Sequence, residues 1–327
     1  MPREARTLKH ILALLCAALL LANAPGDTSA APAAWPENRT ISIIVPFAAG
    51  GGTDIIARQL QRSMQRFTEP AIVIRNMPGA GSGIGTNEVL RARPDGHTLL
   101  LSGTHTVTAT LQGLASGSII QLDHIASLNW DAFVIAVLDA SPHKTLKDLI
   151  DAGTQSPGKI TIGHAGVGAL THLTAEALNK AAGSPWTIVP YEGGARLIAG
   201  VLGNVVTAGV FSQSEVQAQA GRLRPLAVTS LRRTPLFPQS PTVGELGFKN
   251  IPQGSFRSIS GPKGIPMEAR RAIAAAVGRA MNDPDWIAYS RENGLVKTYM
   301  TNVELERYFA VLTLDLSKLL RQVGLMK

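Results

Sequence analysis

The sequence predicts an α/β protein of two lobes, each a mostly parallel sheet flanked by helices, with a ligand cleft between the lobes. Short apolar segments rich in β-branched residues alternate with glycine loops and amphipathic stretches, which is the strand–loop–helix order of parallel sheets. The same order starts again near residue 133. With 327 residues, 45% of them hydrophobic, the chain is long and apolar enough for about two domains with buried cores.

Residues 1–33 have the composition of a cleaved signal peptide. A basic start precedes an apolar run at 11–22, which is shorter than the ~18 residues of a membrane span, and small residues follow it. An uncleaved membrane anchor is the alternative. The single cysteine, Cys16, lies inside this run, so the mature protein is expected to be soluble, exported and without disulfides.

The first lobe is expected at 34–128, and strand–loop–helix units make up its predicted elements. The glycine loop 49–52 separates the first strand from a helix that Thr53 or Asp54 can cap. The strands of this lobe are predicted at 41–47, 71–75 and 98–102, with a second helix at 84–92.

The second lobe is expected at 129–256, and residues 257–327 are expected to return to the first. The chain is predicted to cross between lobes near 129–133 and 252–257. Strands are predicted at 133–138, 160–162, 186–189, 205–210, 226–230 and 256–261, and terminal helices at 267–282, 285–293 and 303–322.

Glycine loops recur between predicted strands and helices, at 49–54, 76–85, 163–171 and 191–195. Without side chains, backbone N–H groups can approach a ligand closely, and a helix start adds about half a positive charge. Tight turns alone could explain the glycines of any one loop. Four loops at equivalent places favour an anion site in the cleft.

Motifs of other function classes are absent from the sequence. Gly79, Gly81 and Gly83 lack the spacing of a dinucleotide-binding loop, and no H-E-x-x-H zinc motif or nucleophile elbow occurs. Asp54 is more plausible as a helix cap than as a general base. The net charge of +8 is dilute and aromatic residues make up 5%, so nucleic-acid binding is not expected. We expect no catalytic residue, cofactor or metal.

Short segments along nearly the whole mature chain resemble the tripartite tricarboxylate transporter receptors, also called Bug receptors. These segments are Ile-Ile-Val-Pro-Phe-Ala-Ala-Gly-Gly-Gly-Thr-Asp at 43–54, Pro-Asp-Gly-His-Thr-Leu-Leu at 94–100, Val-Pro-Tyr-Glu-Gly at 189–193, Leu-Ala-Val-Thr-Ser at 226–230 and Gly-Pro-Lys-Gly-Ile-Pro at 261–266. Their order and spacing make the resemblance specific.

This resemblance implies a periplasmic receptor that holds a small carboxylate between its lobes and delivers it to a membrane permease. Signalling to a membrane sensor kinase is the alternative, and an α/β enzyme is a weaker one. A monomer without cofactors is expected. Carried over by position, the implied ligand-binding residues are Phe47, Gly51, Gly52, Thr53, Asp54, Gly81, Ser82, Gly83, Ser102, Thr104, Gly166, Gly168, Thr171 and Tyr191.

Several positions depart from the family pattern. Met77 stands where arginine is frequent, and Ala169 and Leu170 stand where serine or threonine is common. Loss of hydroxyl groups beside the predicted site suggests a ligand with one carboxylate and an aromatic or aliphatic body. Alternatively, these side chains point away from the ligand.

Overall fold

The structure is a computed structural model that describes residues 35–326, apart from 37, 299 and 301. The predicted signal peptide lies outside these residues. The strands are β1 (Ile41–Val45), β2 (Ile72–Asn76), β3 (Thr98–Gly103), β4 (Leu122–Leu138), β5 (Thr161–His164), β6 (Thr187–Pro190), β7 (Ala208–Ser212), β8 (Leu223–Val228), β9 (Gly254–Pro262) and β10 (Val296–Lys297). The helices are α1 (Gly52–Gln65), α2 (Gly83–Leu90), α3 (Thr104–Leu111), α4 (Leu146–Gln155), α5 (Leu170–Ala182), α6 (Gly194–Leu202), α7 (Gln213–Gln217), α8 (Met267–Ala280), α9 (Pro284–Glu292) and α10 (Asn302–Gln322). Among the residues described, no helix combines the length and apolar character needed to cross a membrane.

The strands form a curled mixed sheet in the order β2-β1-β3-β9-β4-β7-β5-β6, with β8 and β10 also paired with β4. The pairs of β1 with β2 and β3, and of β5 with β6 and β7, are parallel. The pairs that β4 and β9 make are antiparallel. The predicted α/β class is confirmed. The sheet is mixed because β4 and β9, which connect its two parallel parts, pair antiparallel with their neighbours.

Strand β4 belongs to both parts of the sheet. Its residues 122–132 pair with β9, and its residues 133–138 pair with β7 and β8. We call the part containing β1, β2, β3, β9 and β10 the first half-sheet, and the part containing β5 to β8 the second half-sheet. The lobe boundaries inferred from the sequence stay a prediction.

The sequence prediction covered only the second part of β4 and did not include α3, α7 or β10. Strand β4 starts at Leu122 rather than near 133, because the polar residues of its first part are buried and paired instead of solvated. Asp123, for example, accepts the N–H groups of Gly264 and Ile265 at 2.9 Å each. Helix α3 is rich in threonine, which has a low helix propensity, yet every residue from 104 to 109 is buried. Burial therefore overrides local propensity in both segments.

Helix α1 buries an apolar face that includes Ile56, Leu60 and Met64. Its N-cap is Gly51, with extended backbone and no side-chain cap, so the expected capping by Thr53 or Asp54 is wrong. The physical reason is that a carboxylate from a distant part of the chain takes the first N–H group of the helix, as described below.

Candidate functional site

An inner cavity of about 60 Å³ lies between the two half-sheets, beyond the carboxyl ends of β1 and β5. This edge of a parallel sheet is where α/β proteins place their ligands. The first residues of three helices meet at the cavity: Gly52 of α1, Leu170 of α5 and Gly194 of α6. The other lining residues are Phe47, Gly51, Thr53, His105, Phe133, Ala165, Ala169, Thr171, Ser212, Glu215, Ser255 and Arg257.

A larger outer cleft of about 640 Å³ adjoins the inner cavity, and Phe47 and Ala165 line both spaces. Its volume lies in the range of small-molecule sites. On one side it is lined by the turn at 78–82, and on the other by residues 165–167 and 190–193. A ligand could therefore place a small head group in the inner cavity and its body in the outer cleft.

The N-terminus of α1 binds a carboxylate that belongs to the chain itself. The Gly52 N–H donates to Glu215 Oε1 at 2.9 Å, across 163 positions of sequence. The backbone N–H and the hydroxyl of Ser212 donate to Oε2 of the same carboxylate at 2.9 and 2.8 Å. A Cβ on Gly194 would overlap Oε1, so the close approach requires glycine there. A carboxylate therefore does bind at the first glycine loop, but it is that of Glu215, and a ligand anion site at this loop stays a prediction.

Asp54 holds the first glycine loop in place. Its carboxylate accepts the Gly50 N–H, the Arg58 Nε and the Asn76 Nδ2, each at 2.9 Å. Burial acts to raise the pKa of Asp54, but hydrogen bonds from Arg58, Gly50 and Asn76 outweigh it and lower the pKa below its usual value. Asp54 lines neither the inner cavity nor the outer cleft, so its contacts are those of a residue that positions the loop.

Arg257 is a buried cation at the inner cavity that sequence reasoning missed. Its Nη1 lies 3.1 Å from Asp131 Oδ2, and both side chains are nearly inaccessible to solvent. The Ser214 hydroxyl also donates to Asp131, at 2.7 Å, while burial raises the pKa of Asp131. Arg257 Nε has no hydrogen-bond partner among the described residues. The sequence feature that could have identified Arg257 is that it is the single charged residue in β9, whose other residues are small or apolar.

His105 contributes a neutral imidazole to the same cavity. Burial, followed by the nearby charge of Arg257, lowers the pKa of His105 to about 3. Its Nε2–H donates to the Leu101 carbonyl at 3.1 Å, which makes Nδ1 an acceptor. Nδ1 is buried without a partner in the described part of the chain. The cavity thus offers a cationic donor and a neutral acceptor.

The structure distributes the sequence-predicted residues over several places. Phe47, Gly51, Gly52, Thr53 and Thr171 line the inner cavity. Phe47, Gly81, Ser82, Gly166 and Tyr191 line the outer cleft.

The remaining predicted residues, apart from Asp54, line neither space. Ser102 hydrogen-bonds Ser258 and Ser260 inside the first half-sheet. Thr104 Oγ1 accepts the Phe256 N–H at 2.9 Å. Gly83 packs against the Leu114 carbonyl, and the Gly168 carbonyl accepts the Gln112 Nε2 at 2.8 Å.

Histidines 164 and 172 stack on each other, with ring centroids 4.3 Å apart. Nδ1 of His172 accepts the Gly168 N–H at 3.3 Å, so this pair supports the loop before α5. Within the described residues, no cluster of three or more His, Cys, Asp or Glu is arranged to hold a metal.

Comparison with known proteins gives consistent matches. The model of the family described as tripartite tricarboxylate transporter family receptor matches residues 56–325. Protein BugT of Bordetella pertussis is 32% identical over 232 residues, which cover 69% of this chain and 71% of BugT.

Solved structures match over most of the chain. The periplasmic binding protein BugD superposes with a TM-score of 0.84 at 28% identity, covering 88% of this chain and 99% of BugD. Rpa4515 of R. palustris, solved with adipate, has a TM-score of 0.83 at 23% identity, with 89% and 98% covered, and shows the shared fold.

Proposed function

Because the chain belongs to the tripartite tricarboxylate transporter receptor family, we propose that it is a periplasmic receptor that binds a small carboxylate between its half-sheets and delivers it to a membrane permease. One observation carries the proposal: helix N-termini from both half-sheets and the buried Arg257 meet at a single cavity. Helix starts and arginine are the groups that proteins use to bind anions. The carboxylate ligand of the similarly folded Rpa4515 agrees with this class of ligand.

The ligand carboxylate is placed at the part of the cavity that Glu215 leaves accessible. There, the first turn of α5 presents N–H groups that have no partner inside the helix, and Thr171 lies in that turn. Thr53, the second residue of α1, and Arg257 line the same cavity. Hydrogen bonds to a carboxylate strengthen in such a water-poor site.

The remainder of the ligand is proposed to be apolar. Phe47 lines both spaces, and Pro78, Leu114 and Val167 line the outer cleft that would hold this remainder. At the inner cavity, Ala169 and Leu170 stand where family members commonly carry hydroxyl groups. The burial of an apolar body against these side chains contributes roughly 25 cal/mol per Å² of area removed from water. An aromatic or aliphatic monocarboxylate therefore fits better than citrate.

Isothermal titration of the purified receptor against mono-, di- and tricarboxylates tests the proposal. We expect the tightest binding for a monocarboxylate with an apolar body, and loss of that binding in Gly51→Leu. A Cβ on Gly51 meets nothing closer than 3.6 Å, so the backbone tolerates the change while the longer side chain fills the cavity. Gly278→Leu, on α8 away from the cavity, is the matched control. Full affinity in Gly51→Leu, or no carboxylate binding by the parent protein, would refute the proposal.

Delivery to a permease is tested separately by uptake of the labelled ligand. Cells that lack the receptor should lose uptake at low ligand concentration and regain it when the receptor gene is restored. A ligand-dependent transcriptional response with unchanged uptake would instead assign the receptor to signalling.

A further inference from the structure

We propose that Glu215 determines ligand specificity: its carboxylate stands in for one ligand carboxylate, so the receptor accepts monocarboxylates and rejects dicarboxylates. This inference rests on the proposed function and adds the residue that sets the charge class of the ligand. It follows from the contacts of one side chain that sequence reasoning did not select.

The carboxylate of Glu215 lies where two helix N-termini from opposite half-sheets converge. Oε1 accepts the Gly52 N–H at the start of α1 and lies against Gly194 at the start of α6. A Cβ on Gly52 would come within 2.7 Å of Ser212 Oγ and 3.3 Å of Glu215 Cγ. Glycine at both helix starts thus makes room for this carboxylate, as it would for the carboxylate of a ligand.

Local capping of α7 accounts for two of the three hydrogen bonds that the Glu215 carboxylate accepts. Glu215 and Ser212 form a capping box, which uses Oε2 and the Ser212 N–H and hydroxyl. The capping box does not require Oε1 to contact the distant Gly52. Oε1 therefore accepts the N–H group at the start of α1 that a bound anion would otherwise accept.

The charges around the inner cavity favour a ligand with a single negative charge. Glu215 and Arg257 line the cavity, Arg257 is paired with Asp131, and His105 is neutral. Glu215 is therefore the carboxylate that lines the cavity, while the positive charge of Arg257 is already paired with Asp131. One ligand carboxylate can use the α5 N-terminus and Arg257. A second carboxylate near Glu215 would meet a like charge where water is excluded and screening is weak.

Two substitutions test the inference. Glu215→Gln keeps the shape of the side chain and removes its charge, and Glu215→Ala removes the carboxylate altogether. The probes are hexanoate and adipate, which have the same chain length and differ by one carboxylate. We expect both variants to raise the adipate-to-hexanoate affinity ratio by about tenfold or more, because removing a desolvated like-charge contact has effects of this size.

The control is Glu268→Gln, which removes an exposed carboxylate in the first turn of α8. It should leave the affinity ratio unchanged. An unchanged ratio in Glu215→Gln and Glu215→Ala, with hexanoate still bound, overturns the inference and leaves the proposed function standing. If the parent protein binds neither probe nor any other carboxylate, the proposed function itself fails.

Acetate rescue provides a readout that needs no knowledge of the ligand. In Glu215→Ala, free acetate can replace the lost carboxylate at Gly52 and Gly194, so acetate should raise the melting temperature of this variant more than that of the parent. Acetamide, similar in shape and uncharged, should have less effect. Equal shifts in the parent and the variant, or no shift in either, would count against Glu215 as a substitute for a ligand carboxylate.

Discussion

Asp131 and Arg257 form an ion pair of 3.1 Å that is buried on both sides. Asp131 lies on β4 two residues before Phe133, where the strand begins to pair with the second half-sheet, and Arg257 lies on β9. The pair therefore sits at the point where the two half-sheets join and at the edge of the inner cavity. Its position links the stability of the fold to the chemistry of the site.

Removing one partner of this pair should be costly. Asp131→Ala leaves the Arg257 guanidinium buried without its counter-charge, and we expect a loss of about 3–5 kcal/mol in the free energy of unfolding. Urea denaturation measures the change. Asp151→Ala removes the exposed pair with Lys147 and should have no measurable effect. A similar small effect for both variants would contradict the prediction.

Replacing both members of the pair should weaken ligand binding without lowering the stability of the fold. The double variant Asp131→Leu with Arg257→Met exchanges two buried charges for apolar side chains of similar size, which is often neutral for stability. It also removes a cationic donor from the cavity. We expect a melting temperature near that of the parent and an affinity for the carboxylate ligand lower by about tenfold or more. Unchanged affinity in titration calorimetry would exclude Arg257 from ligand binding.

Acid should destabilise the receptor through three buried histidines. Burial, the largest contribution at each, holds the pKa of His105 and His164 at about 3 and that of His124 at about 4, while histidine in an unfolded chain titrates near 6.5. Between these values the unfolded state binds more protons. Stability is therefore complete above pH 6.5 and lost as the pH falls.

The slope of this loss reaches up to about 4 kcal/mol per pH unit, because three protons contribute about 1.4 kcal/mol each. Thermal melts between pH 7 and 4 measure it. His164→Asn should reduce the slope by about one third. A melting temperature that stays constant from pH 7 to 4.5 would show that these histidines are protonated in the native state.

Two glycine-to-alanine substitutions should act in opposite directions. Gly83 begins α2, and a Cβ there would overlap the Leu114 carbonyl, so Gly83→Ala should destabilise the protein by about 1–3 kcal/mol. Gly278 lies inside α8 with nothing within 4 Å of its Cβ position. Gly278→Ala should therefore add about 0.5–1 kcal/mol. Urea denaturation measures both, and equal effects would show that packing does not set the requirement for glycine at 83.

The sequence predicted the positions of the glycine loops but not which groups bind to their N–H groups. The loop at 49–52 does lead from β1 into α1, and Thr53 and Thr171 do line one cavity. Glu215 reaches Gly52 from 163 positions away, and no local pattern announces such a contact. The polar first part of β4 was left outside every predicted element, because the partners of its residues lie on β9 and in the turn that follows it.

By itself, the sequence determined the α/β class, the order of most elements and the glycine-started helices, because strand and helix periodicity and backbone freedom are local properties. The tertiary structure decided which helix N-termini meet, which charges are buried and that Glu215 binds at the start of α1. Those features depend on distances between residues far apart in the chain, and such distances arise when β4 and β9 bring the two half-sheets together.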